Sequence, residues 1–209
     1  MPGSLSMPTD LLPSFDVEAS IAATYRQNAE GAVKTVEDLD RYRMVIEATR
    51  PDVIIECGTF RGASAVWFVA QGVDVVTIDQ IVSEANFGLV FEPRATLIVG
   101  DSTDPDVVAQ AAELVAGRRT MVVLDSDHHA EHVRREIIRY GPVVTSGCYL
   151  VVEDGIVRFP LPHLWPDGVP GPLDAIEDLL VDNPDWVRDE AVEGLYPVTM
   201  SPLGWWRRA

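Results

Sequence analysis

Val53-Ile54-Ile55-Glu56-Cys57-Gly58-Thr59-Phe60-Arg61-Gly62 is an apolar, β-branched run that breaks into a glycine turn. Five residues of this kind read as a buried strand. Gly58 permits a tight turn and close approach of the backbone to a ligand, and Gly62 lets a helix start close to the strand. Ala63–Ala70 then reads as that helix. The unit repeats downstream. Val73–Asp79, Thr96–Val99, Thr120–Asp125 and Tyr149–Asp154 are further strands. Pro105–Val115, with Asp104 as a candidate cap, and the face marked by Ala130, Val133 and Ile137 are helices between them. Nearly all-apolar strands alternating with helices specify a parallel sheet covered on both faces. Right-handed crossovers place every strand C-terminus on one edge, where open α/β sheets bind ligands. Glu56, Asp79, Asp101, Asp125 and Glu153-Asp154 all end or closely follow a strand.

Outside this core, residues 17–49 read as helical and Pro51 ends them. Residues 1–13 are predicted to be disordered, with Met7 a candidate natural start. Residues 14–209 are predicted to form one domain, with 14–50 as a helical extension. The Pro- and Gly-rich stretch 155–172 is a candidate substrate lid containing His163 and Trp165. Pro172 opens a helix carrying Leu173, Ile176 and Leu180. Leu195–Trp206 is expected to form an antiparallel hairpin on the sheet edge.

The 209 residues carry 33 Asp+Glu against 16 Lys+Arg, a formal net charge of −17. Such a surface repels phosphate backbones and argues against a nucleic-acid partner. Residues 167–193 hold much of the surplus and read as a solvated helix face and loop. With 47% hydrophobic residues the chain is not an acidic disordered segment. No run of 18 apolar residues is present, and Met1–Pro13, without a basic n-region or a long apolar h-region, is not expected to be a signal peptide. Cys57 and Cys148 read as reduced core thiols, which points to the cytoplasm.

Two constellations carry chemistry. The first is nucleoside-binding. Gly58 and Gly62 do not have the Gly-x-Gly-x-x-Gly spacing that cradles a pyrophosphate, and Glu56 would repel one. Asp79 lies 21 residues after Gly58, where an acid accepts ribose hydroxyls. A ribose, no phosphate and a cationic sulfonium describe S-adenosylmethionine. Glu56, Gly58, Thr59, Phe60, Ser64, Asp79, Gln80, Asp101 and Ser102 form the candidate cofactor set. The second is the carboxylate group Asp125, Asp127, Glu153 and Asp154. Neighbouring strand ends lie about 5 Å apart, so these acids would repel unless a cation joined them. All-oxygen ligands favour Mg²⁺. Asp127 is equally well read as a helix cap. His128 and His132 have zinc spacing, but HExxH and CxxC are missing. His128, with an ordinary pKa of about 6.5, is a candidate general base; His129 and His132 read as bystanders.

Together, VIIECGTFRGAS (53–64), TID (77–79), GDS (100–102), LDSDH (124–128) and VVED (151–154) resemble the class I S-adenosylmethionine-dependent methyltransferases. More narrowly the chain resembles the cephalosporin hydroxylase-named and rhamnosyl O-methyltransferase family, near catechol-type O-methyltransferases. GVPGPLDAIEDL (168–179) and SPLGWWRR (201–208) extend the likeness. The resemblance implies a three-layer α/β Rossmann-like fold, a seven-stranded mostly parallel sheet with a C-terminal antiparallel pair. It implies Glu56, Gly58 and Ser64 along the methionine part of the cofactor, Asp79 at the ribose, and Asp101 and Ser102 at the adenine. It implies Asp125, Glu153 and Asp154 on Mg²⁺ with His128 near the acceptor hydroxyl, and oligomeric relatives suggest a homo-oligomer. A hydroxylase triad of His129, Glu131 and His163 is disfavoured, because the first two open a helix. The expected function is Mg²⁺-dependent O-methylation of a small hydroxylated molecule, a sugar or secondary metabolite. The alternatives are an NAD(P)-dependent oxidoreductase and a non-catalytic nucleoside- or metal-binding relative.

Overall fold

A computed structural model describes residues 15–30, 34–81, 92–161, 164–166 and 168–209. The segment 1–13 and His163 therefore lie outside the described residues. The strands are β1 (Val53–Cys57), β2 (Asp74–Asp79), β3 (Ala95–Val99), β4 (Thr120–Leu124), β5 (Tyr149–Val152), β6 (Trp186–Arg188) and β7 (Trp205–Arg208). They form one seven-stranded sheet in the order β3-β2-β1-β4-β5-β7-β6. The five strands β1 to β5 are parallel; β7 runs antiparallel to both β5 and β6. The expected fold class is thus observed. The antiparallel pair is placed differently from the expected hairpin: its inner arm is Trp205–Arg208 and its outer arm is Trp186–Arg188, which the charge pattern had assigned to a solvated loop. Trp186 and Arg188 alternate with Val187 in burial, so three residues suffice for an edge strand whose neighbours are strongly acidic.

The described helices are α1 (Val17–Glu30), α2 (Val36–Thr49), α3 (Ala63–Ala70), α4 (Pro105–Leu114), α5 (Ala130–Tyr140), α6 (Pro172–Leu179) and α7 (Glu190–Glu193). The continuous helical reading of 17–49 is divided in two. Thr35 has extended backbone geometry and its side chain accepts from Asp38 N, so it starts α2 as an N-cap. Asp104 caps α4 in the same way, accepting from Asp106 N. α5 is amphipathic and buries Val133, Ile137 and Tyr140 against the sheet, but also His132 and Glu136. β1 and β4 are buried along their whole length, as layers on both faces require. Among the described residues no helix is long and apolar enough to cross a membrane. Cys57 and Cys148 are buried and unpaired.

α2 is tied to the C-terminal loop by a buried ion pair. Arg41 is fully buried; its Nη1 donates to Asp38 Oδ1 at 2.8 Å. Its other donors reach the carbonyls of Val192, Glu193, Tyr196 and Val198. Asp38 also accepts from the hydroxyls of Thr35 and Thr199 and from Met200 N. The strand order reverses at β1, which has β2 on one side and β4 on the other. A crevice opens at that switch point, beyond the C-terminal ends of the two strands.

Candidate functional site

Parallel pairing continues past the last strand residues and lines up the acids. Gly58 N donates to Ile78 O, Gly100 N to Asp79 O, Asp125 N to Cys57 O and Glu153 N to Leu124 O, all at 2.8–2.9 Å. Gly58 adopts φ +99°, and a Cβ built there would stand 1.9 Å from Asp125 O. Only glycine fits, because both the left-handed backbone and the contact exclude a side chain. The Gly58 turn and the loop that carries Asp125 therefore touch through backbone.

A cleft of about 290 Å³ lies on this edge, bordered by Gly58, Phe60, Asp79, Ser102, Asp125 and His132. Gln80 also lines it. Asp79 is fixed by two backbone donors, Phe60 N at 2.7 Å and Ile81 N at 2.9 Å. Phe60 has φ 46° and an exposed ring. Glu56 is fully buried near the C-terminal end of β1. Its Oε2 accepts from Thr77 Oγ1 at 2.6 Å, and Thr77 is in turn 2.7 Å from Thr59 Oγ1. Thr59 therefore acts inward, on the carboxylate, and Ser64 is buried in the first turn of α3. Glu56 Oε1 has no hydrogen-bond partner among the described residues. Burial pushes the Glu56 carboxyl above its usual range, opposed by the charge of Lys34.

At the far end of the cleft, Asp101 Oδ1 accepts from the N–H and hydroxyl of Thr103. Ser102 Oγ donates to Glu136 Oε1 and lies 3.0 Å from His132 Nε2. Ser126 Oγ donates to the same Glu136 oxygen at 2.7 Å, and Tyr140 OH donates to Ser102 O. His132 is thus part of a buried polar network against the cleft. Its pKa is raised, chiefly by its hydrogen bond to Glu136.

At the ends of β4 and β5, one potential ligand atom each from Asp125, His128 and Asp154 lies within 4.8 Å of the others. His128 Nε2 is 3.0 Å from Asp154 Oδ2. Asp154 has φ 54°, a left-handed conformation that Asp tolerates better than most residues. Burial pushes Asp125 upward, and Lys34 pulls it back before Asp154 adds repulsion. Burial likewise raises Asp154, with His128 opposing. For His128, burial pulls the pKa down, but Asp154 and then Asp125 pull harder, so the net shift is upward.

The other two proposed ligands sit differently. Glu153 is buried beside the trio with both oxygens engaged: Oε2 accepts from Lys34 Nζ at 2.7 Å, and Oε1 from Tyr42 OH. Burial and the nearby Asp125 push Glu153 up to about 7 against the pull of Lys34. Asp127 is half-exposed, outside the trio, and bonded to the backbone N–H and ring of His129. The N-cap of α5 is His129, so Asp127 forms a turn two residues before the cap. Trp165 from the 155–172 stretch packs near both histidine rings, 6.1 Å from His128 and 4.9 Å from His129 between centroids.

Sequence reading passed over Lys34, Tyr42 and Glu136. Lys34 Nζ also reaches Asp125 Oδ2 at 3.0 Å. A usable signal existed: Lys34 is the single lysine in the chain.

The sequence signature described as Rhamnosyl O-methyltransferase/CmcI matches residues 22–209. A rhamnosyl O-methyltransferase of Mycobacterium tuberculosis is 32% identical over 181 residues, spanning 82% of this chain and 73% of that protein. One from Mycobacterium leprae is 30% identical over 183 residues, spanning 82% and 78%. A solved structure of CmcI with Mg and SAM aligns with a TM-score of 0.56 and 18% identity, over 84% of this chain and 72% of that one. At that identity the structural likeness speaks for the fold alone.

Proposed function

The chain belongs to the Rhamnosyl O-methyltransferase/CmcI family, and from that premise we propose that it moves a methyl group from S-adenosylmethionine to a hydroxyl of rhamnose or a similar small molecule, with Mg²⁺ as the resident ion. The observation that carries this reading is the meeting of Asp125, His128 and Asp154 beside the Gly58 turn. The cofactor fits the residues present. Glu56 sets a buried carboxylate behind the Gly58 turn, whose charge would favour a cationic ligand and disfavour a dinucleotide pyrophosphate. Asp79 is oriented by two backbone donors for a ribose diol. Asp101, Ser102 and His132 stand at the adenine end.

The metal fits as well, since mutually repelling buried carboxylates gain from a divalent cation. Asp125 and Asp154 would hold it, with Glu153 behind them and Asp127 outside. Held there, Mg²⁺ would supply Lewis acidity that lowers the pKa of an acceptor hydroxyl. A hard cation prefers oxygen, which leaves the imidazole of His128 for proton transfer. With Nε2 donating to Asp154, His128 receives the acceptor proton at Nδ1, and Asp154 stabilises the imidazolium that forms. Methyl transfer is an in-line displacement, so the cleft contributes mainly by positioning. The ring of Trp165 gives the acceptor a flat apolar wall beside His128. The net charge of −17 favours neutral or cationic acceptors over polyanions. Two buried thiols suit a reducing compartment such as the cytoplasm.

Calorimetric titration with S-adenosylhomocysteine and with NAD⁺, each with and without Mg²⁺, tests the reading. Binding of the former and not the latter is expected. Binding of NAD⁺ alone would replace the methyltransferase with an oxidoreductase. Turnover of a rhamnoside in the presence of S-adenosylmethionine then separates an enzyme from a binding protein.

A further inference from the structure

Every basic side chain counted among the sixteen Lys+Arg is an arginine except Lys34, and Lys34 is placed among acids. Its side chain is 2% exposed. Nζ lies 2.7 Å from Glu153 Oε2 and 3.0 Å from Asp125 Oδ2, and 5.8 Å from the centroid of the Tyr42 ring. Tyr42 OH closes the other oxygen of Glu153. Burying an ammonium is costly unless acids and hydrogen bonds surround it, and here they do. The compact three-donor head suits a slot between two carboxylates better than a planar guanidinium fork does.

We propose that Lys34 is a resident counter-cation of the acid cluster, which keeps Glu153 for itself and so weakens the grip of Asp125 and Asp154 on a divalent cation. The proposal rests on the metal reading above and concerns how tightly this chain holds the ion. Two effects act together. Glu153 has no oxygen left to offer while Lys34 and Tyr42 occupy both, and Asp125 shares one of its oxygens with the ammonium. The ammonium also repels a second cation a few ångströms away, in surroundings where water screens weakly. The charge balance still leaves room for a metal. Glu56, Asp125, Glu153 and Asp154 face one ammonium and, when protonated, one imidazolium, which leaves two negative charges for a divalent ion to neutralise. Lys34 is accordingly a positioning residue: it decides which acids are available, and the acids do the binding.

The test is calorimetric titration of Mn²⁺ and Mg²⁺ alone into cofactor-free protein, using wild type, Lys34→Gln and Asp154→Asn. Wild type should bind, Asp154→Asn should not, and Lys34→Gln should bind at least tenfold more tightly. Binding by Lys34→Gln alone supports the proposal equally. An unchanged or weaker affinity in Lys34→Gln, with wild type binding and Asp154→Asn silent, overturns the proposal and leaves the metal reading intact. Absence of binding in both wild type and Lys34→Gln overturns both. Should Lys34→Gln fail to fold, isotope-labelled lysine in the wild-type chain gives one side-chain signal. That signal should shift as Mg²⁺ is added, and a signal unmoved at saturating Mg²⁺ overturns the proposal.

Discussion

Helix α2 borders two buried charge clusters, and they are built on opposite plans. At Asp38 and Arg41 every charge is spent inside the fold: one acid meets one guanidinium, and hydroxyls, a backbone N–H and four carbonyls take up the remaining capacity. Around Asp125, Glu153 and Asp154 the acids outnumber the cations, their carboxyls are pushed upward, and Asp125 lines an open cleft. Buried charge by itself therefore marks no function. The difference is residual capacity: the first cluster is closed, and the second holds more acids than cations.

Substitutions should separate the two plans. Arg41→Ala leaves Asp38 and four carbonyls without their donor and should cost about 3–5 kcal/mol in chemical denaturation. A cost under about 1 kcal/mol would mean the closed cluster is not a strut. Asp154→Asn should lower Mg²⁺-dependent turnover on the order of a thousandfold, about 4 kcal/mol, while changing stability by less than about 1 kcal/mol. The amide keeps the left-handed backbone accessible and removes a repulsive charge. A folding defect equal to that of Arg41→Ala would erase the distinction.

Glu193 is the titrating edge of the closed region. Burial pushes it from an ordinary 4.5 up to about 7, against the pull of Arg188. Below 4.5 it is protonated whether folded or not. As the pH rises toward 7 the unfolded chain releases the proton while the fold retains it, so stability falls, by roughly 3 kcal/mol across that window. Glu193→Gln should flatten this part of the variant's own curve, so that the wild-type-minus-variant difference falls across the window; parallel curves would place Glu193 in solvent. The smallest effect is expected at Asp79→Asn, about tenfold weaker S-adenosylhomocysteine binding by calorimetry, or about 1.4 kcal/mol, with metal affinity unaltered. Simultaneous loss of metal affinity would show that cofactor and metal halves do not divide as drawn.

The strands of the parallel sheet were legible because a strand buried on both faces reads as an unbroken apolar run, as in Val53–Cys57 and Thr120–Leu124. Their terminal acids were legible for the same reason, since a charge ends such a run visibly. The outer strand Trp186–Arg188 was not, being three residues long within an acidic stretch. That stretch is also less solvated than its charge suggested: Arg158 meets Asp174 and Glu177, Arg134 meets Asp178, and Arg188 meets Glu193. Division of the first helical region was announced only by Thr35 and Asp38, three residues apart. Lys34 and Tyr42 joined the acids across 91 to 119 residues of chain, a distance that local periodicity does not register. Their type offered the only hint, a solitary lysine among arginines.

The contact between Gly58 and the Asp125 carbonyl has a practical meaning for redesign. The wall of the cleft cannot be reshaped by a side chain at position 58 without pushing the Asp125 loop aside. Phe60, two residues further on, has an exposed ring but a left-handed backbone whose N–H holds Asp79. Redesign at either position of the turn therefore acts on a neighbouring acid as well.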